Sequence, residues 1–503
     1  MFKKRRLLFF GIVLTFLLLI LSLCASAFEA EVKGKNAEER ALNAAKQIAE
    51  VKKLAGKTLV VFTPTGSENN INPVLEKWEK FTGIPVKLLG APIPEVTSKL
   101  TLEAVTKSGI YDVLIFSPSA LADFVESRLI KDITEWAGKY DPEIKGESGV
   151  IEPAFYWGMY KGRVYAFNTD GDFMFLFLRK SLLNDEQNKK EFEEISGYPL
   201  KEPETWKELD DQIRFFGREE NRKKGFYGAW LYRSPWYSAW EWMIRFMSQG
   251  KLFWDDNMHP QINSPEGVKA LEEIVASKPY LHPGVATGGW PEAYKAFPQG
   301  EVYATIAWPS LPKYANNPAH SQVVGDVAYV RIPGRRMENG EILRVANFQS
   351  GWVYAVSNYS KMPEIAYLFS QYMYSPTVSA KAIPQPGFFD PFRKSHLNRE
   401  IGQYYALDEW PHYFDVVLAT AKESIPELAL RGQAEYQGTL DKAITSVYQG
   451  MDTPKSALDK VAAEWEKITE RYGRQSQIEQ WQFLKTTFGR DVRKFFNIPP
   501  PPE

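Results

Sequence analysis

Tyr111-Asp-Val-Leu-Ile-Phe-Ser-Pro-Ser119 carries four apolar residues in a row that break off into Ser-Pro-Ser. So short an apolar run, bounded by turn residues, reads as a strand buried on both faces, because a half-exposed strand would alternate. Upstream, Lys57-Thr-Leu-Val-Val-Phe-Thr63 repeats the pattern and stops at Pro64-Thr-Gly-Ser67. Gly83-Ile-Pro-Val-Lys-Leu-Leu89 lies between the two. The intervening segments have helical spacing: Asn72 to Thr82, with Val74, Leu75 and Trp78 on one side, and Glu95 to Lys107. Strands alternating with helices predict an α/β protein with a parallel sheet covered on both faces. Ligands of such sheets sit beyond the carboxyl ends of the strands, so the Thr63–Ser67 and Ser117–Ser119 loops are candidate ligand loops.

The rest of the chain continues in this style. Phe173–Leu178, Gly225–Leu231, Tyr303–Trp308 and Trp352–Ser357 read as strands. Thr205–Phe216, Ser264–Ala276 and Pro363–Tyr374 read as helices, and everything beyond Tyr413 looks helical. Glu29–Gly56 is Ala-rich at helical spacing and reads as a helix ahead of the core. The ending Ile498-Pro-Pro-Pro-Pro-Glu503 reads as a mobile tail.

At 503 residues the chain should hold more than one folding unit. With 61 Lys and Arg against 62 Asp and Glu, it has no global electrostatic footprint for nucleic acid. The aromatic share is high: 14%, with 15 Trp and 25 Tyr. Residues 1–27 read as a secretory signal peptide. Lys3, Lys4, Arg5 and Arg6 precede an apolar run from Leu7 to Leu23, and Ala25-Ser26-Ala27 is a small-residue cleavage site. The product works outside the cytoplasmic membrane, in the periplasm or on the extracellular face. Cys24, the one cysteine, stands where lipoprotein leaders carry a lipidated residue, although Leu23 before it is not the usual small residue. Lipid anchoring at Cys24 therefore stays open beside a cleaved soluble form.

No catalytic signature is present. His259, His282, His320, His396 and His412 show no metal-ligand spacing. There is no Walker loop, no dinucleotide fingerprint and no G-x-S-x-G elbow; Gly288-Gly289-Trp290 lacks the Lys a phosphate cradle needs. Asn168-Thr-Asp-Gly-Asp172 is only loosely like a calcium loop, without its distal Glu. No cofactor or metal is expected.

Seven segments in order resemble a known family: the extracellular solute-binding proteins of bacterial ABC sugar importers, family 1, in the maltodextrin-binding class. They are Tyr111–Ser119 running on to Ile130, Tyr160-Lys-Gly-Arg-Val-Tyr-Ala-Phe-Asn168, Phe175–Lys180, Glu202-Pro-Glu-Thr-Trp-Lys-Glu-Leu209, Ile262–Leu271, Ala296–Tyr303 and Gly351-Trp352. Asn168 stands where the family usually has Pro. The resemblance implies a two-lobed periplasmic-binding-protein fold (type II) with discontinuous lobes joined by a hinge: 57–166 plus 346–385, and 167–345 plus 386–472. Residues 28–56 would then be an N-terminal helical extension and 473–503 a C-terminal one. It implies a non-enzymatic monomer that captures a sugar, an oligosaccharide or glycoside above all, and delivers it to the permease subunits of an ABC transporter. A secreted carbohydrate-active enzyme, or the same fold with a polyol, phosphorylated polyol or peptide ligand, are the competing readings.

Sugars present hydroxyls around the ring and apolar C–H patches on its faces, so a sugar site needs aromatic platforms and polar side chains. By position in the family, Trp236, Trp308 and Trp352 are expected platforms, and Asp172 and Asp170 the expected acids. Thr65, Gly66, Ser67, Ser117 and Ser119 are candidates from the strand-end loops. Gln349, Ser350 and Gly351 lie near a hinge crossover, and Arg431 and Tyr436 in a late family segment. Trp240 and Trp242 are expected on a helix with at most one facing the cleft; Trp78, Trp136, Trp206 and Trp465 read as core. If the leader is cut at the small-residue site, amino-terminal sequencing of the exported protein will begin at Phe28; a start at a modified Cys24 would establish a lipoprotein instead.

Overall fold

The computed structural model describes residues 28–348 and 351–501. Nine strands build two sheets: β1 (Leu59–Pro64), β2 (Val86–Ala91), β3 (Val113–Phe116), β4 (Ala166–Asn168), β5 (Phe175–Arg179), β6 (Tyr227–Trp230), β7 (Val302–Ala307), β8 (Val327–Val330) and β9 (Val353–Val356). The first sheet has the order β2-β1-β3-β9-β4 and the second β8-β5-β7-β6. β3 is buried along its length, which is why Val113 to Phe116 shows no alternation. In the first sheet β1 pairs in parallel with β2 and β3, as βαβ units require. β9 then runs antiparallel between β3 and β4. The second sheet departs further from the expected parallel arrangement: β5 is antiparallel to both β7 and β8, and only β6 with β7 is parallel. The reason is chain entry. β5 and β9 enter their sheets from a crossing between the lobes, not from a helix packed on the same sheet, so nothing imposes a parallel return.

These pairings bring all the relevant strand ends together. Val353 opens β9 opposite Phe116, the last residue of β3, and Phe175 opens β5 opposite Ala307, the last of β7. Segments before β5 and β9 therefore lie with segments after β3 and β7. Three chain passes cross between the lobes there. Residues 169–174 run beside the described residues 347–348 and 351–352 through the bonds Thr169 N–H to Trp352 O (2.8 Å) and Met174 N–H to Asn347 O (3.0 Å). The third pass, near residues 387–393, lies against Gly171, where an added Cβ would come within 2.1 Å of the Pro391 carbonyl oxygen.

The helical layers differ from the expected extensions. α1 (Ala37–Val51) is capped by the Asn36 side chain and buries Ala37, Ala41, Ala44, Ala45 and Ile48 in the core. The small alanines let it lie directly on a later helix, where Gln371 donates to the Ala37 carbonyl. It is part of the first lobe's wall. α2 (Glu68–Thr82) packs beside it, with Trp78 edge-on to Phe369 of the same later helix, and α3 (Ser238–Met247) lies in the second lobe. α4 (Pro363–Tyr374) carries Gln371. The C-terminal chain forms α5 (Gln433–Tyr448), α6 (Pro454–Tyr472), α7 (Arg474–Thr486) and α8 (Arg490–Phe495), so residues 473–497 are packed structure and Pro501 is buried. Trp254 joins them, stacked on Trp465 at 4.4 Å and edge-on to Tyr436 and Trp481. The region beyond Tyr413 is not wholly helical, because Ser424–Ile425 forms a short strand beside Ala346–Asn347. No described helix is long and apolar enough to cross a membrane.

The second lobe also holds a dry ion network. Arg245, fully buried on α3, bonds Asp210 and Glu241 at 2.7 and 2.8 Å and lies over the Trp206 ring. Glu241 in turn accepts from buried Arg233 at 2.8 Å. Removing one member leaves buried charge without its partner, which costs about 3–5 kcal/mol. Arg245→Met should therefore lower the thermal midpoint by several degrees in a calorimetric scan. An unchanged midpoint would mean the network contributes no net stability.

Candidate ligand-binding cleft

The strand ends frame a cleft between the two sheets. From the second lobe come Asp172 before β5, Trp236 after β6, Trp308 after β7, Trp290 and Tyr294 on a short helix, and Ser310 and Tyr314. Ile93 and Trp352 come from the first lobe, and Phe388 from the third crossing. Of the residues expected from sequence, the structure thus brings together Asp172, Trp236, Trp308 and Trp352.

Trp236 is the exposed member, at 41%. Its φ of 75° is a left-handed conformation that costs a bulky residue about 1–3 kcal/mol. Two residues one turn apart on α5 hold it there. Gln437 donates to its carbonyl at 2.8 Å, and its own N–H donates to the Asp441 carboxylate. Strain maintained around an exposed indole is a mark of a functional position. Trp290 is set by its neighbours. An added Cβ at Gly289 would lie 2.8 Å from the Tyr237 hydroxyl oxygen, and the Trp290 N–H donates to that same hydroxyl. Tyr294 fixes the floor through Ser310 Oγ at 3.0 Å.

The acids lie at the crossings. Asp170 is fully buried and accepts from the Trp352 N–H at 3.0 Å, so it ties the first pass to the second. Asp172 faces the cleft and hydrogen-bonds Asp390, a fully buried residue of the third pass. Tyr405 donates to Asp390 at 3.3 Å. Lys313 is the cation facing these acids. Its ammonium donates to the carbonyls of Phe389 (2.8 Å) and Gly387 (3.4 Å) on the third pass and of Ile383 (3.3 Å) just before it. Burial is the main reason both Asp170 and Asp172 hold their protons well above the usual carboxylate range. Repulsion from neighbouring acids adds to it, from Asp390 at Asp170 and from Asp170 and Asp390 at Asp172. Burial also pushes Asp390 up to about 6, against the pull of Lys313, and lowers Lys313 to about 8. Like charges this close in a dry interior cannot all ionise, so Asp172 and Asp390 share a proton.

The other sequence candidates lie elsewhere. Ser117 Oγ and the Ser119 N–H both donate to Glu427, at 2.6 and 3.0 Å, which locks the end of β3 to the segment before α5. Ser67 is buried and donates to the Pro64 carbonyl. Thr65 is exposed, and Gly66 packs beneath Phe388, where an added Cβ would sit 2.9 Å from the ring. Gly351 is tighter still against the Phe348 ring, at 2.1 Å for an added Cβ. These two glycines support the cleft wall without lining it. Arg431 lies over Tyr472, and Tyr436 is a core residue bonded to Thr469 and Gln477. Neither is in the cleft lining, because α5 turns that face toward α6 and α7. Trp240 is buried edge-on behind Trp236 and Trp308, and Trp242 lies in the core against Phe246. Gln349, Ser350 and Cys24 are outside the described residues. Sequence reasoning missed Trp290, Tyr294, Tyr314, Phe388 and, behind them, Asp390 and Lys313. Gly288-Gly289 before an aromatic was the available signal for the first.

A carboxyl whose pKa is raised on folding adds stability that is full below its ordinary value and lost as pH rises through the raised one. For Asp390 that window runs from 3.8 to about 6, worth about 3 kcal/mol. Stability of the ligand-free protein should therefore fall more steeply between about pH 4 and 6 than that of Asp390→Asn, measured by denaturant titration. Equal slopes would refute the shared proton.

The architecture is that of known two-lobed binding proteins. A solute-binding protein of an ABC transporter from Agrobacterium radiobacter K84, in complex with ribitol, superposes with a TM-score of 0.68 at 23% identity, over 82% of this chain and 99% of that one. Maltose-bound MalE3 of T. maritima gives 0.67 at 21%, over 82% and 99%. An ABC substrate-binding protein from Listeria monocytogenes, in complex with cycloalternan, gives 0.65 at 17%, over 82% and 99%. At these identities the likeness establishes the two-lobed periplasmic-binding-protein fold. No curated protein compared with the chain matches it. The profile of the bacterial extracellular solute-binding proteins matches residues 65–380, more than half of the sequence, and by that match the chain belongs to the bacterial extracellular solute-binding protein family.

Proposed function

We propose that this protein captures a carbohydrate, an oligosaccharide or glycoside above all, between its lobes and delivers it to the membrane permease of an ABC transporter. The carrying observation is the cleft lining: seven large aromatic side chains, Trp236, Trp290, Tyr294, Trp308, Tyr314, Trp352 and Phe388, around one carboxyl, Asp172. Flat apolar walls suit the C–H faces of sugar rings, and a carboxyl can bond two hydroxyls at once. Several platforms in one cleft favour a ligand of more than one ring.

In this reading the lobes are 57–166 plus 346–385 and 167–345 plus 386–472, and the three passes between them are the hinge. Trp352 approaches the ligand from one side, and Trp236 and Trp308 from the other. A ligand touching both sides favours the closed form and shifts the population toward it. The permease would recognise that form. No bond is made or broken; the secretory leader and the absence of a catalytic motif in the sequence agree with a receptor working outside the membrane.

A thermal-shift screen of the chain from Phe28, with mono- and oligosaccharides, polyols, glycerol phosphates and short peptides, tests this. A carbohydrate should stabilise the protein and be recovered unchanged. Trp236→Ala should weaken it by about tenfold, equivalent to ~1.4 kcal/mol, with little effect on folding because the side chain is exposed. A peptide or phosphate as the sole ligand class, or hydrolysis of the sugar, would contradict the proposal.

A further inference from the structure

The floor of the cleft gathers more carboxyl groups than a neutral sugar requires. Asp172 is the only acid or base in its lining among the described residues. Directly behind it stand Asp390 and Asp170. Against these the described structure sets one ammonium, Lys313, already engaged with three carbonyls. Oδ2 of Asp170 and Oδ2 of Asp390 are buried with no hydrogen-bond partner among the described residues. Dry carboxyls left short of donors are costly, and a cation entering beside them offsets that cost. The three acids do not form a group spaced to hold a metal ion. The walls have the matching chemistry, since indole faces attract cations, most strongly once water is excluded. Trp236, Trp308 and Trp352 supply three such rings around the acid.

We propose that the ligand is a carbohydrate bearing a basic nitrogen, an amino sugar whose ammonium group seats on the Asp172 carboxylate between the aromatic walls. This rests on the carbohydrate reading above and narrows its class. The charge balance is explicit. In the empty cleft Asp172 and Asp390 share one proton. On binding, the ammonium N–H groups take over as donors, that proton leaves to solvent, and the ligand's positive charge replaces it. A neutral sugar can only hydrogen-bond the protonated pair and releases no proton. Tyr405 and Lys313 keep Asp390 hydrogen-bonded and compensated after the proton has gone, and Tyr294, bonded to Ser310, remains neutral under burial.

Isothermal titration with matched pairs tests this: glucosamine against glucose, galactosamine against galactose, and the glucosamine dimer and trimer against cellobiose and cellotriose. Titrations at pH 6.5 in two buffers of different ionisation enthalpy report proton release directly. The expected result is an amine that binds at least about tenfold more tightly than its neutral partner and releases about one proton per site. Asp172→Asn should erase the preference. Should that variant not fold, proton release by the unaltered protein decides alone. If the neutral member binds as tightly in every pair, or the amine binds without proton release, the amino-sugar proposal fails while the carbohydrate reading stands. If no carbohydrate of either kind binds, both fail.

Discussion

One backbone hydrogen bond, from the Trp352 N–H to the buried carboxyl of Asp170, joins the two adjacent passes between the lobes. Much of the site is arranged around it. Thr169 bonds the Trp352 carbonyl from the other side, so the indole of Trp352 leaves the crossing in a fixed direction. Two residues on, Asp172 reaches both the cleft and Asp390, which brings the third pass into the same cluster. Lys313 grips that pass by two carbonyls and the chain just before it by a third. The cluster therefore lies both where the three passes cross and at the floor of the cleft. Whatever changes the charge at Asp172 acts on both.

The aromatic walls answer to the same constraint. β5 and β9 enter their sheets from the crossings, and their antiparallel pairing with β7 and β3 brings the residues before them level with the residues after those strands. Asp172, Trp308 and Trp352 meet for that reason. Trp236 is the exception, since it reaches the cleft only by adopting a strained backbone that two side chains of α5 maintain. The ring it holds is partly exposed and packs edge-on against Tyr237 and Trp240.

The layered architecture was legible because buried strands such as Val113 to Phe116 announce themselves by composition, and Trp78 and Trp206 by helical spacing. The antiparallel second sheet was not, because strand direction depends on where the chain enters and not on the strand itself. Trp236, Trp308, Trp352 and Asp172 could be placed only through the family resemblance, which fixes their positions beside the apolar runs. Asp390 and Lys313 could not, since they meet Asp172 across more than a hundred residues of sequence and carry no local pattern. Tyr436 shows the opposite failure. With Leu440 and Ile444 it repeats every four residues on one helix face, the ordinary signature of core, and it is buried on Trp254 and Trp465. Ser117 and Ser119 sit at a strand end as ligand loops do, but Glu427 already uses their donors.

The most direct measurement is a crystal structure of the mature chain grown with the tightest-binding carbohydrate found for it. The result expected is a sugar between Trp352 on one side and Trp236 and Trp308 on the other, with a polar group on the Asp172 carboxyl. A sugar bound away from these residues, or a cleft that stays empty at saturating ligand, would contradict capture between the lobes.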